Sequence, residues 1–138
     1  MNVGFHESVN DELLKFAVVI AKYDGKWAYC KHRDRPTYEI PGGHREDGET
    51  IEETARRELF EETGAKRYKL TPICVYSVEE GGETTYGMLY YAKITELGMK
   101  PVNEIEKVYF LDDHPVKQTY PEIQPKLVAE AERRGIIN

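Results

Sequence analysis

The chain has 138 residues, of which 40% are hydrophobic and 32% charged, and its mean hydropathy is −0.64. These values predict one soluble globular domain over residues 1–138 and exclude a membrane-spanning or low-complexity protein. The 25 acidic residues outnumber the 19 basic ones, and the net charge of −6 opposes binding to DNA or to anionic membranes. The opening residues have neither a basic nor an apolar segment, so we expect a cytoplasmic protein without a secretory signal.

The first third of the chain predicts a β-hairpin and then a loop. Residues 13–21 form an apolar run rich in β-branched side chains, typical of a buried strand, and a Tyr-Asp-Gly-Lys turn ends it. Residues 27–30 supply the return strand. A short extended piece at 38–40 then leads to Gly42 and Gly43, where the backbone can approach a neighbour closely.

The rest of the chain predicts two helices among further strands. A capping box that begins at Thr50 predicts a helix over residues 51–63, and Gly64 is its expected terminator. Further strands are expected over 68–78, 84–94 and 108–111, followed by a helix over about 122–134. This order favours an α/β fold with a mixed sheet covered on both faces. Cys30 and Cys74 lie in apolar stretches and are predicted to be buried, reduced thiols.

Acidic side chains crowd one edge of the first predicted helix. Glu58 lies three and four positions before Glu61 and Glu62, which places the three carboxylates in an arc of roughly 100° beside the apolar stripe. Like charges at this spacing destabilise a helix unless a cation offsets them. Carboxylates with no nearby His or Cys favour Mg²⁺, or Mn²⁺ as a substitute, over zinc. The alternative is a solvated surface on which these acids pair with Arg56 and Arg57.

A longer motif surrounds these carboxylates. Gly43, Glu49 and the run from Arg57 to Gly64, Arg-Glu-Leu-Phe-Glu-Glu-Thr-Gly, stand at the spacing of the Nudix box. The chain therefore resembles the Nudix hydrolases, the MutT-like family that acts on nucleoside diphosphates linked to a further group X. The resemblance implies an α/β/α sandwich with a mixed sheet between helices. Ala65 is a departure, because the family usually has a larger aliphatic residue there.

The resemblance also implies a metal site. Counterparts of Glu58, Glu61 and Glu62 bind divalent ions in the family, and the carbonyl of the residue that matches Gly42 often adds a ligand. Water activated by these ions would attack the diphosphate bond of a nucleotide.

Other residues would support this site. The resemblance gives Arg57 and Glu49 the role of orienting the metal-binding carboxylates. A later carboxylate usually completes the site or acts as the base, and Glu104 is our first choice, Glu106 the second. Glu58 is the alternative base.

The substrate stays open at this stage. A short chain favours a nucleoside triphosphate, including one with an oxidised base, and Gln118 is then the candidate for purine recognition. ADP-ribose, a dinucleoside polyphosphate, an RNA 5′ end or a non-catalytic nucleotide sensor are the alternatives. Pro72 and residues 80–82 depart from the patterns of the ADP-ribose and diadenosine polyphosphate branches. Further candidates for phosphate or base contacts are Lys31, His32, Arg33, Arg35, Tyr29, Tyr38, Tyr86 and Tyr90.

Partners and oligomeric state complete the expectations. We expect a nucleotide-type small molecule as the substrate and no membrane partner. Residues 1–10 are polar enough to form either a disordered arm or a strand exchanged with a second copy, so a homodimer is an open alternative.

Overall fold

A computed structural model describes residues 1–138 and contains one mixed sheet with a helix on each face. The strands are β1 (Asn2–His6), β2 (Leu14–Tyr23), β3 (Lys26–His32), β4 (Tyr38–Glu39), β5 (Gly42–His44), β6 (Ala65–Glu80), β7 (Glu83–Leu97) and β8 (Ile105–Leu111). The helices are α1 (Ile51–Thr63) and α2 (Gln124–Arg133). This architecture confirms the predicted α/β/α sandwich. None of its helices combines the length and the apolar character needed to cross a bilayer.

The sheet runs in the order β1-β6-β7-β2-β3-β4, while β5 pairs with β2 and β8 pairs with β3. Strands β2 and β7 are parallel, and the other pairs are antiparallel, so the sheet is mixed. The predicted hairpin turn joins β2 to β3, with Asp24 at φ 52° and Gly25 at φ 75°. Positive φ at both positions is the geometry that matches the twist of a two-residue hairpin.

The amino terminus differs from the expectation. Asn2–His6 forms a strand of the same sheet as the rest of the chain and pairs antiparallel with residues 75–79 of β6. The prediction of a disordered arm is therefore wrong, while the exchange of this strand with a second copy stays a prediction. The reason lies in two apolar side chains, Val3 and Phe5, which pack against the core on one face of this strand. The homodimer stays a prediction.

Two hydrophobic cores lie on opposite faces of the sheet because side chains alternate along β2. Ala17 and Val19 pack with Ala55 and Leu59 of α1 on one face. Val18 packs with the α2 side on the other face. Both cysteines are buried and unpaired, as predicted. The central strand thus holds both helices, and α1 lies with its apolar stripe against the sheet.

Candidate active site

Helix α1 is held at both ends by the groups that the sequence indicates. Thr50 Oγ1 accepts the Glu53 amide at 3.1 Å, and Glu53 Oε1 accepts the Thr50 amide at 2.8 Å. Gly64 takes the left-handed conformation with φ 77°, and its amide donates to the Phe60 carbonyl. The capped helix therefore presents its carboxylates in a definite direction.

The three predicted carboxylates differ in exposure. Glu62 is only 6% exposed, the Glu58 side chain is 15% exposed, and the Glu61 side chain is 40% exposed. Burial raises the pKa of Glu58 and raises that of Glu62 strongly, and the charge of Glu104 raises both further. An amide of β5 opposes the shift, since Gly42 N–H donates to Glu62 Oε1 at 2.7 Å. Negative charge is thus concentrated where water solvates it poorly.

Two glycines let strand β5 approach these carboxylates. A Cβ on Gly43 would lie 2.4 Å from Cδ of Glu58, and a Cβ on Gly42 would lie 2.5 Å from the carbonyl oxygen of Ala17. Real Cβ atoms do not tolerate such contacts. The side chain of Glu58 therefore occupies space that only a glycine at position 43 leaves free.

Arg57 bridges the loop before α1 to the helix carboxylates. Its Nε donates to Glu49 Oε2 at 2.6 Å, its Nη1 to Glu58 Oε1 at 2.8 Å, and its Nη2 to the His44 carbonyl at 2.9 Å. A second contact runs from Nη1 to Glu61 Oε1 at 3.3 Å. The hydrogen bond from Arg57 lowers the pKa of Glu49 to about 2. The structure thus brings the predicted orienting pair together with the carboxylates.

Glu104 lies on the loop before β8, and this loop is attached to the end of α1. The neighbouring Asn103 donates from Nδ2 to the Glu61 carbonyl at 2.8 Å and accepts the Ile105 amide at 2.9 Å. The charge of Glu104 acts on the two buried helix carboxylates. Glu104 and Glu106 are both exposed, and neither forms an ion pair. The choice between these two acids stays a prediction.

Glu39 is a candidate site residue that the sequence analysis did not single out. Its side chain is 12% exposed, its Oε2 is shielded from solvent without a hydrogen-bond partner, and its charge raises the pKa of Glu62. Alternation along the chain was the sequence signal for it. Glu39 stands next to the apolar Ile40 in an extended segment that leads to the glycines, so the two side chains point to opposite faces.

The donor set fits a hard divalent cation. No three His, Cys, Asp or Glu side chains are already arranged to hold a metal, and Arg57 occupies oxygens of Glu58 and Glu61. The crowded carboxylates and the orphaned Glu39 oxygen are nevertheless the ligand type that Mg²⁺ and Mn²⁺ prefer. Cys30 is the nearby soft group, and burial raises its pKa well above the usual value, which keeps the thiol neutral and disfavours zinc.

A cleft of about 290 Å³ opens beside the two glycines on the α2 side of the sheet. Its lining is largely apolar and aromatic and includes Phe16, Val18, Ile40, His44, Tyr76, Tyr120, Ile123 and Gln124. The Gln124 side chain is buried, and its Oε1 accepts the Ile40 amide at 2.8 Å. Its Nε2 has no hydrogen-bond partner within the protein. An apolar cleft with one such polar group is the usual form of a small-molecule site.

Gln118, the candidate for base recognition, lies outside the lining of this cleft. Its Nε2 donates to the Pro115 carbonyl at 3.0 Å, and its Oε1 is buried without a partner. The loop before α2 pairs the backbone of Gln118 with that of Tyr38. A role of Gln118 in base recognition stays a prediction.

The other candidate contact residues have local partners. Tyr29 and Tyr90 are buried in the two cores, so the proposal that they stack on a base is wrong. Arg33 donates to the Asn103 carbonyl, which ties the loop after β3 to the loop before β8. Of the remaining five, Lys31 and Tyr38 contact each other, with the Lys31 amine over the Tyr38 ring. His32 lies near Asp34, Arg35 lies near Glu39, and Tyr86 packs edge-on against His6.

Comparison with known proteins identifies the family. The model of the NUDIX domain matches residues 13–132. The chain belongs to the NUDIX domain family. The match covers most of the chain and includes the Nudix box. In this NUDIX domain the box forms α1 and the loop before it.

Two curated relatives come from Bacillus subtilis. The protein named "Putative 8-oxo-dGTP diphosphatase YtkD" is 35% identical over 97 residues, which is 70% of this chain and 61% of the relative. A second protein named "Putative 8-oxo-dGTP diphosphatase" is 44% identical over 59 residues, 43% of this chain and 40% of the relative. The aligned part is thus less than two thirds of either relative's length.

Solved structures share the whole fold. A crystal structure of the Bacillus subtilis pyrophosphohydrolase BsRppH, in a mutant form, has a TM-score of 0.82 and 26% identity, and the match covers 99% of this chain and 93% of that chain. A UDP-X diphosphatase has a TM-score of 0.72 at 19% identity, over 91% of this chain and 64% of that chain. The second likeness concerns the fold alone.

Proposed function

We propose that this NUDIX domain is a divalent-metal-dependent pyrophosphohydrolase, and that its substrate is a nucleoside triphosphate with an oxidised guanine base. The observation that carries the proposal is the cluster of three carboxylates on α1, one buried and two partly exposed, beside a glycine-lined cleft. The names of the relatives support it, since two are described as 8-oxo-dGTP diphosphatases and one as a pyrophosphohydrolase. Two buried, unpaired cysteines agree with the proposed cytoplasmic location.

Glu58, Glu61 and Glu62 would hold the cation, with the Gly42 carbonyl and Glu104 as further ligands. A bound divalent cation neutralises phosphate oxygens and makes water more acidic. Glu58 or Glu104 then accepts a proton from the attacking water. The water oxygen forms a bond to one phosphorus as the bond from that phosphorus to the bridging oxygen breaks. The products from a nucleoside triphosphate are the monophosphate and pyrophosphate.

The cleft supports the choice of a guanine base. Because Gln124 Oε1 already accepts the Ile40 amide, the side chain offers only N–H donors to a ligand. A keto oxygen, as in guanine and its oxidised form, accepts such a donor, whereas the amino group of adenine does not. The aromatic lining provides flat surfaces for the rings.

Gln124→Glu is expected to lower the ratio of kcat/KM for guanine over adenine nucleotides by about tenfold, the value of one lost hydrogen bond. The variant keeps an acceptor for the Ile40 amide and removes the free donors. Steady-state kinetics with 8-oxo-dGTP, dGTP and dATP checks the ratio. An unchanged ratio in a folded variant contradicts the assignment of Gln124.

The reaction itself is tested with a substrate panel in Mg²⁺. The panel contains canonical and oxidised nucleoside triphosphates, ADP-ribose, dinucleoside polyphosphates, nucleotide sugars and 5′-triphosphorylated RNA, with product identity followed by chromatography. We expect turnover of oxidised guanine nucleotides that stops when EDTA is added. Turnover restricted to another class would overturn the substrate, and nucleotide binding with no turnover of any member would favour a sensor.

Arg57→Lys is expected to lower kcat by about 10- to 100-fold, the usual effect of losing a residue that orients metal ligands. Lysine keeps the charge but cannot reach Glu49, Glu58 and the His44 carbonyl at once, because it lacks the planar fork of arginine. Arg56→Lys is the matched control, since Arg56 pairs with the exposed Glu52 at 3.1 Å. Equal rates for the two variants would show that Arg57 does not orient the site.

A further inference from the structure

Glu39 faces the same side of the sheet as helix α1. In the β3–β4 ladder it lies opposite Cys30. The thiol of Cys30 donates to the Glu62 carbonyl at 3.6 Å. Cys30 and the paired Glu39 therefore lie under the carboxyl end of α1. The adjacent Ile40 belongs to the core on the other face, as alternation along a strand requires. Glu39 therefore lies on the sheet face that α1 covers, where the carboxylates of the proposed metal site lie, and it also borders the cleft beside the two glycines.

The carboxylate of Glu39 is incompletely satisfied there. Its Oε2 is shielded from water and accepts no hydrogen bond, and its one ionic neighbour is Arg35, with Nη2 at 3.8 Å. That separation is longer than a charge-assisted hydrogen bond, and the Arg35 side chain is 42% exposed. A buried acceptor without a partner is costly, and another carboxylate facing it adds repulsion.

A cation between Glu39 and Glu62 would remove both penalties at once. It would supply the missing partner for Oε2 and offset the repulsion between the two acids. Glu39 ends β4 and lies three residues before Gly42, the glycine whose amide donates to Glu62, so the two positions share one short segment. On these grounds we propose that Glu39 is a further divalent-metal ligand of this site, an inference that rests on the proposed function.

The test is a Mn²⁺ titration of the full chain, with free Mn²⁺ measured by electron paramagnetic resonance. Glu39→Gln, which keeps the shape of the side chain, is expected to weaken Mn²⁺ binding by at least about tenfold. Glu39→Asp is expected to recover part of the affinity, because it keeps a carboxylate. Glu83→Gln, which removes an exposed charge at the far hairpin, is the control and is expected to bind as the wild type does.

Arg35→Gln separates metal binding from a structural role. If Glu39 binds the cation, removal of Arg35 leaves Mn²⁺ affinity equal to or tighter than that of the wild type, because a competing cation is gone. If Glu39 only anchors Arg35, the two variants weaken binding equally, and that result overturns the inference. Wild-type affinity in Glu39→Gln overturns it as well.

The same titration distinguishes this inference from the proposed function. Wild-type protein that binds no Mn²⁺ would overturn both. Wild-type protein that binds Mn²⁺ while Glu39→Gln binds equally well would overturn only the role of Glu39. Thermal melts in EDTA check the fold. We expect a higher midpoint for Glu39→Gln than for the wild type, since the variant removes a largely buried charge whose one ionic neighbour lies 3.8 Å away.

Discussion

Glu61→Gln is expected to lower kcat by about 10²- to 10³-fold in Mg²⁺ while the free energy of unfolding without metal stays close to that of the wild type. A cation that stabilises phosphate charge contributes several kcal/mol to the transition state, and the loss of one ligand forfeits part of it. The fold should tolerate the change because the Glu61 side chain is partly exposed and packs in neither core. Initial rates at saturating substrate and a denaturant titration measure the two quantities.

Glu52→Gln on the same helix is the matched control. Glu52 pairs with Arg56 on the exposed face of α1, so this variant removes the same charge without touching the site. A wild-type rate for Glu61→Gln, or an equal loss in both variants, would contradict the metal-binding role of Glu61. A tenfold increase in Mg²⁺ that partly restores the rate of Glu61→Gln would agree with weakened binding.

Gly43→Ala is expected to fold and yet to lose about 100-fold in kcat/KM. The new Cβ would lie 2.4 Å from the Glu58 carboxyl carbon, and the flexible end of that side chain can move away at little cost to the fold. The displaced carboxylate would then leave its place in the proposed metal site, with a loss comparable to that of a missing ligand. Steady-state kinetics together with a Mn²⁺ titration measures the effect.

Gly42→Ala provides the comparison for this prediction. Its Cβ would lie 2.5 Å from the Ala17 carbonyl oxygen and 3.0 Å from Val18 Cα, which belong to the central strand and cannot move aside. We expect it to lower the free energy of unfolding by about 1–3 kcal/mol, as overpacking does. If Gly43→Ala instead destabilises the fold and keeps its metal affinity, Glu58 does not need its observed position.

Features of α1 could be predicted from the sequence because their causes are local. The capping box at Thr50 and the terminator at Gly64 act within a few residues, and the structure has the helix over the predicted residues. The spacing of Glu58, Glu61 and Glu62 fixes their angular separation on any helix. The pairing of Arg57 with Glu49 was predicted from the same motif, and the structure shows this hydrogen bond.

Features that depend on strand pairing were accessible only from the tertiary structure. Asn2–His6 is polar at its ends, and only the exposed edge of β6 makes it a strand. Predicted strands at 68–78 and 84–94 were too short, because β6 and β7 extend each other's polar ends through their ladder.

The features of the candidate site fall into the same two groups, those predicted from the sequence and those seen only in the tertiary structure. The sequence alone determined the family motif and the carboxylate cluster, and it predicted a hard divalent cation, since these follow from residue types at short spacing. The tertiary structure decided that Glu39 lies on the α1 side of the sheet and that Gln124, not Gln118, lines the cleft. Both choices depend on which face of a strand or helix meets another element. That meeting is set by sheet register and core packing between residues far apart in the chain, which no local pattern encodes.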